Sequence, residues 1–188
     1  DKTMVLTGPN ASGKTTTLKT TLINIILSQQ LGCGFYKSAT INPYDFIHCY
    51  LNIPDTSGRD SLFQAEARRC KEIIDIVQKN NKQRHFCVFD ELYSGTNPDE
   101  AILSATAFMK YLIKNKRVNS VLTTHFIDVC KSLDKDKHIR NCHMSTSHHN
   151  GIFEYKYLLK SGISEVKGGM QVLTDMEYPE EIIKNASK

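Results

Sequence analysis

Short apolar runs alternate along this chain with longer stretches in which apolar residues recur every three or four positions. That alternation predicts an α/β domain with a mainly parallel sheet flanked by helices. Met4-Val5-Leu6 reads as a buried strand, and Leu18, Leu22, Ile25, Ile26 and Gln29 then keep helical spacing. A helix is expected over 14–30, stopped by Gly32 and Gly34. Residues 35–54 are less regular and leave room for one or two short strands. Helical period returns over 61–79, with Phe63, Ala67, Cys70, Ile74 and Val77 on one face. His85-Phe86-Cys87-Val88-Phe89 is the most apolar strand candidate and ends at Asp90-Glu91. A helix over 99–114 carries Ile102, Ala105, Phe108, Met109, Leu112 and Ile113. Ser120-Val121-Leu122-Thr123 is another strand, ending at Thr124-His125, and a short helix over 127–133 follows. Two strands near 139–144 and 152–158 flank Asn150-Gly151, a hairpin-turn pair. The stretch 168–186 has helical period with a break at Pro179.

Composition changes this picture little. The 188 residues suit one domain, and 40% hydrophobic with 23% charged is enough for a core. A net charge of +4 is compatible with a nucleic-acid partner without requiring one. Six cysteines are scattered without a C-x-x-C pair, which fits reduced thiols in an intracellular protein, cytoplasmic or nuclear. No apolar run approaches the ~20 residues of a membrane helix, so no membrane partner is expected. Because the first strand begins almost at residue 1, the chain is expected to be one domain of a longer protein.

The first chemical motif is G-x-x-x-x-G-K-T, spelled by Gly8, Pro9, Asn10, Ala11, Ser12, Gly13, Lys14 and Thr15, with Thr16 behind it. Glycines let such a loop fold around phosphate oxygens, and the helix that follows offers its free N–H groups to the anion. Lys14 is placed to contact the β- and γ-phosphates and Thr15 to ligate Mg²⁺. A strand before the motif and a helix after it are the context a phosphate-binding P-loop needs. The second motif is Asp90-Glu91 at a strand end. One carboxylate can support the Mg²⁺ shell while its neighbour polarises an attacking water. Paired acids favour hydrolysis over transfer to another acceptor. His125, one strand later, is placed to sense the terminal phosphate. Ser57-Gly58-Arg59-Asp60-Ser61 precedes a helix, where Ser61 reads on its own as an N-cap.

Taken in order, TGPNASGKTT (7–16), SLFQAEARRCKEII (61–74), FDELYSGTNPDE (89–100), TTHF (123–126) and GISEVKGGMQVL…YPEEII (162–183) resemble the ATPase domain of the MutS proteins, in the ABC class of P-loop ATPases. The resemblance implies ATP and Mg²⁺ as cofactors, Lys14 and Thr15 on the phosphates and metal, Asp90 on the metal, Glu91 as base and His125 as switch. It implies that Ser61 reaches the nucleotide of a partner subunit, making the working unit a homodimer or heterodimer. Gly95-Thr96 would line that interface. DNA would be held by other domains, in mismatch repair or recombination control. Where the family commonly has an aliphatic residue, Gly and Arg after Asp-Glu, this chain has Leu92-Tyr93-Ser94. Asp99-Glu100, Lys167-Gly168-Gly169 and the extra Asp60 also depart from the pattern, as in a divergent branch.

Two other readings stand beside this one: an ABC-class ATPase with a different mechanical task, and a nucleotide-gated scaffold without hydrolysis. Intact Lys14, Asp90, Glu91 and His125 argue against the scaffold. His138, Cys142, His143, His148 and His149 cluster near the hairpin, but their spacing matches no standard zinc pattern, and no metal site is expected there.

Overall fold

The computed structural model describes residues 2–51, 53, 61–149, 152–164, 166, 173–174 and 176–186. Its elements run β1 (Thr3–Thr7), α1 (Lys14–Leu31), β2 (Phe46–Tyr50), α2 (Leu62–Lys79), β3 (His85–Asp90), α3 (Pro98–Leu112), β4 (Val118–Thr123), α4 (Ile127–Leu133), β5 (Ile139–His149), β6 (Ile152–Ser161) and α5 (Glu180–Ala186). The strands form one six-stranded sheet in the order β2-β3-β4-β1-β5-β6. β1 to β5 are parallel, and β6 turns back antiparallel on β5.

β3 shows why the sheet is covered on both faces. Its side chains alternate sides, as strand geometry requires. Phe86 and Val88 join Leu18 and Leu22 of α1 on one side. Cys87 and Phe89 join Ile73, Met109, Leu112 and Val129 from α2, α3 and α4 on the other. Helix ends follow local chemistry. Gly32 closes α1 in the left-handed conformation at φ 70°, and its N–H reaches the Ser28 carbonyl. Asn97 caps α3 through the Glu100 N–H, with Pro98 opening the helix.

Register decides what the fold presents. Leu6 of β1 pairs with Thr123 of β4, and Thr123 pairs with Asp90 of β3. The C-terminal ends of three adjacent strands therefore finish in one line.

The expected elements are found with small shifts. Residues 35–54 supply one strand, β2. The hairpin strands run on to His149 and Ser161, beyond the expected 144 and 158. Gly32 alone caps α1; Gly34 has no left-handed backbone. The buried stripe of α1 is narrower than its periodicity suggests, because Leu18 and Leu22 are buried while Ile26 is exposed. The last helix occupies Glu180–Ala186, just after Pro179, and residues 168–172 and 175 of that expectation lie outside the described residues. So do Asn150-Gly151, Ser57 to Asp60 and Lys167-Gly168-Gly169.

A buried imidazole pair joins β2 to β3. His48 Nε2 and His85 Nδ1 are 3.0 Å apart, and His85 Nε2 is 3.0 Å from the Asn80 carbonyl. A carbonyl only accepts, so the network assigns the proton to His85 Nε2; His85 Nδ1 then accepts from His48. Burial, His85 and Arg69 together lower the His48 pKa to about 4. The unfolded chain thus binds a proton more readily than the folded one between about pH 6.5 and 4. Stability should be full above that window and fall by up to about 3 kcal/mol as pH drops through it. Urea unfolding from about pH 7.5 to about pH 5 measures this. His48→Gln should flatten the slope; an equally steep decline in that variant would assign it to other groups.

Candidate functional site

The loop leaving β1 folds back on itself before α1. Gly8 has φ 149° and Gly13 φ 95°, both within the range that favours glycine. A Cβ on Gly8 would meet Ser12 Oγ at 2.8 Å. The Ser12 hydroxyl is buried there and has no hydrogen-bond partner among the described residues. α1 starts at Lys14 with Gly13 as its cap, no side-chain cap bond and no acidic residue in its first turn. The positive end of an 18-residue helix is thus left for a ligand. A cavity of about 680 Å³ opens over it, lined by Asn10, Ala11, Gly13, Lys14, Thr15, Thr16 and Glu91, with Met144 and Tyr157 opposite.

Lys14 is buried, and its Nζ donates to the carbonyls of Gly8 at 2.9 Å and Pro9 at 3.2 Å. Glu91 Oε1 lies 3.8 Å from that ammonium and 3.6 Å from His125 Nδ1. Burial lowers the Lys14 pKa, against the opposing pull of Glu91 and Asp90. The His125 imidazole and the Lys14 ammonium hold the Glu91 carboxyl below the usual carboxylate range, although burial works the other way. Glu91 is therefore ionised at neutral pH and ready to accept a hydrogen bond from water.

Asp90, beside this cluster, is engaged by two hydroxyls. Its Oδ1 accepts from Thr15 at 3.1 Å and from Thr123 on β4. Hydroxyl and carboxylate oxygens converging on one point are donors suited to a hard cation, so Thr15 and Asp90 fit Mg²⁺.

Structure thus gathers Lys14, Thr15, Asp90, Glu91 and His125, and the Gly8–Gly13 loop backbone, at the C-terminal ends of the central strands. Ser61 is not brought into this cavity. It is exposed and caps α2 in a capping box: Ser61 Oγ accepts from Gln64 N–H, while Gln64 Oε1 accepts from Ser61 N–H.

Three contributors escaped the sequence reading. Tyr157 and Met144 reach the cavity from the hairpin, and Tyr157 has φ 53°, rare for a bulky residue. No local pattern signals that a strand so distant in sequence passes over the loop. Glu66 is the third. It stands in the stretch SLFQAEARRCKEII (61–74), and a charged residue on the apolar face of a helix was the available signal. Its carboxylate is buried and accepts from Ser94 N–H at 3.0 Å, Ser94 Oγ at 2.8 Å and Gly95 N–H at 3.1 Å.

His143 Nδ1 is 3.2 Å from the Gly162 carbonyl, Cys142 is buried, and His148 and His149 pair with Phe153 and Ile152 far along the hairpin. Among the described residues, no group of three or more His, Cys, Asp or Glu side chains could hold a metal. Nor is any described helix long and apolar enough to cross a membrane.

With this geometry in place, the chain can be set against known proteins. The family described as MutS domain V matches residues 4–188. The DNA mismatch repair protein MutS of Oceanobacillus iheyensis is 27% identical over 187 residues, covering 98% of this chain and 21% of the relative. MutS of Bacillus subtilis is 27% identical over 186 residues, with 97% and 21% covered. MutS of Aquifex pyrophilus is 26% identical over 186 residues, with 98% and 21% covered. The chain therefore spans about a fifth of the length of these curated relatives.

The left-handed Gly13 gives the first test of the loop. A Cβ there would sit 3.3 Å from the Tyr157 ring and 3.4 Å from Met144 Cε. Gly13→Ala should cost about 1–3 kcal/mol in urea unfolding, from the strained backbone. An unchanged midpoint would show that the loop relaxes without strain.

Proposed function

This chain belongs to the MutS domain V family, and on that premise we propose that it is an ABC-class ATPase domain. It binds Mg-ATP and hydrolyses it by direct attack of water. One observation carries this reading: Glu91 stands within 4 Å of both Lys14 and His125, beside a P-loop whose Thr15 bonds Asp90. ATP is preferred to GTP because the sequence has no N-K-x-D stretch to read guanine.

Each residue has a separable task. The P-loop N–H groups and the open end of α1 bind the phosphates, and Lys14 exchanges its loop carbonyls for β- and γ-phosphate oxygens. Thr15 and Asp90 would hold Mg²⁺, which supplies charge neutralisation for the transferring phosphoryl group. Glu91, ionised and beside the γ-phosphate position, orients the water and takes its proton. His125 bonds to Glu91 or to the terminal phosphate and so reports which is present. The Tyr157 ring, 3.3 Å from the Cβ position at Gly13, offers an aromatic face to the base. Catalysis here is positioning and electrostatics.

At the level of the whole protein, two such domains would face each other, each presenting Ser61 to its partner's nucleotide. Other domains would hold DNA. The relatives' name points to mismatch repair, and the Leu92-Tyr93-Ser94 run points to a divergent branch of the family. All six cysteines are unpaired, which suits a reducing intracellular compartment.

Glu91→Gln should cut kcat for ATP about 100-fold or more while leaving Mg-ATP binding intact and trapping an ATP-dependent dimer. Phosphate release, nucleotide binding and light scattering together check this. Hydrolysis linear in protein from a persistent monomer would remove Ser61 from the mechanism. Tyr157→Ala should raise the Kd for ATP about tenfold, the loss of one stacking contact. An unchanged Kd by fluorescence titration would place the base elsewhere.

A further inference from the structure

Glu66 is the buried charge that the reading above leaves unused. Resting on that reading, we propose that Glu66 is a positioning residue, locking the loop after the Asp90-Glu91 pair to the start of α2. It thereby makes the hydrolytic base and Ser61 one rigid unit.

The geometry is specific. One carboxylate oxygen of Glu66 takes both the N–H and the hydroxyl of Ser94, and the other takes the next N–H, from Gly95. Three donors on one buried carboxylate form a clamp on two successive residues. Gly95 closes against the same helix from the other side: a Cβ there would lie 2.7 Å from Leu62 Cγ and from the Phe63 nitrogen. Glycine is what allows the loop backbone to rest on the first turn of α2.

The clamped loop needs holding. Glu91 and Tyr93 both have left-handed backbones, at φ 55° and 59°, which bulky side chains adopt only when surroundings enforce it. Tyr93 is fixed by its N–H bond to the Tyr50 hydroxyl at 3.3 Å and by Phe63 at 5.6 Å between rings. Glu66 fixes the following two residues. A cavity of about 270 Å³ lies between, shared by Glu66, Thr15, Asp90, Glu91 and Ser94. A shift of Ser94 reaches Glu91 along the chain, through Leu92 and Tyr93, both of which are buried.

Ser61 caps the helix that carries Glu66. A displacement of the α2 start by a partner's nucleotide would then pull on Ser94-Gly95 and reset Glu91 in the same subunit. Through this link each nucleotide site would be told whether its neighbour is occupied.

The test is a kcat against KM split in the protein at full length, with MgATP as substrate. Glu66→Gln keeps the shape but turns one acceptor into an NH₂ group, which faces an N–H it cannot accept. Its kcat should fall about tenfold with KM within about twofold, because no phosphate contact is touched. Ser94→Ala keeps both backbone bonds and should stay within about threefold of the parent. Combined with Ser61→Ala, the loss from Glu66→Gln should be well below multiplicative, since the two act as a unit. Unchanged kcat in Glu66→Gln overturns the proposal. So does a multiplicative double variant. Parallel losses of kcat and of folded fraction by circular dichroism also overturn it, leaving Glu66 only a folding role. If the parent itself turns over no ATP, the ATPase reading falls and takes this one with it. Failure of Glu66 alone is recognised by an active parent matched by its variant.

Discussion

The site rests on the parallel pairing of β1, β4 and β3. Because Leu6, Thr123 and Asp90 stand in one row of that ladder, the glycine-rich loop, His125 and Glu91 all leave the sheet at the same level. A one-residue slip of β3 against β4 would turn Asp90 to the opposite face, since side chains alternate along a strand. Thr123 would then lose its partner and Thr15 would face no carboxylate. The register is held from beneath. Phe86 and Val88 must meet α1 while Cys87 and Phe89 meet the other helices, and a one-residue slip would exchange the two layers.

On that frame charge is distributed so that each group restrains another. Lys14 is desolvated, which by itself disfavours its ammonium, yet Glu91 and Asp90 favour it. Glu91 is held ionised by His125 and Lys14. Remove any one and the others shift. Lys14 and His125 both lie against Glu91, so any anion arriving at the open end of α1 competes with Glu91 for them. The helix adds an attraction of its own, because its first turn carries neither a side-chain cap bond nor an acid.

Much of this was legible in the sequence, for a physical reason. The loop from Gly8 to Thr15 is a local object: eight consecutive residues specify a turn, a helix start and an ammonium. Asp90-Glu91 and His125 were legible because strand ends are marked by a switch from apolar to polar residues. What could not be read needed the sheet order. That β5 lies beside β1 and folds back as β6 brings Tyr157 and Met144 over the loop, although they are more than a hundred positions away in the chain. The His48–His85 pair is hidden similarly, because each histidine alone looks like an ordinary strand residue and only the β2–β3 register joins them. Glu66 was visible as a letter but not as a contact, since helical period assigns a face and not what meets it.

Strained backbone follows the same division between local and distant control. Ala11, Glu91, Tyr93 and Tyr157 are four of the five described non-glycine residues with positive φ, and all lie in or beside the site. Tyr93 is the informative one, because the resembling family commonly places glycine there. A tyrosine at φ 59° costs about 1 kcal/mol or more relative to glycine. Burial of its ring against Phe63 and Phe108 offsets that, at about 25 cal/mol for each Å² of apolar surface removed from water. The buried Tyr93 ring packs this loop against both α2 and α3. In this chain the loop after Asp90-Glu91 is tied by Tyr93 and by Glu66 to the helix that Ser61 caps.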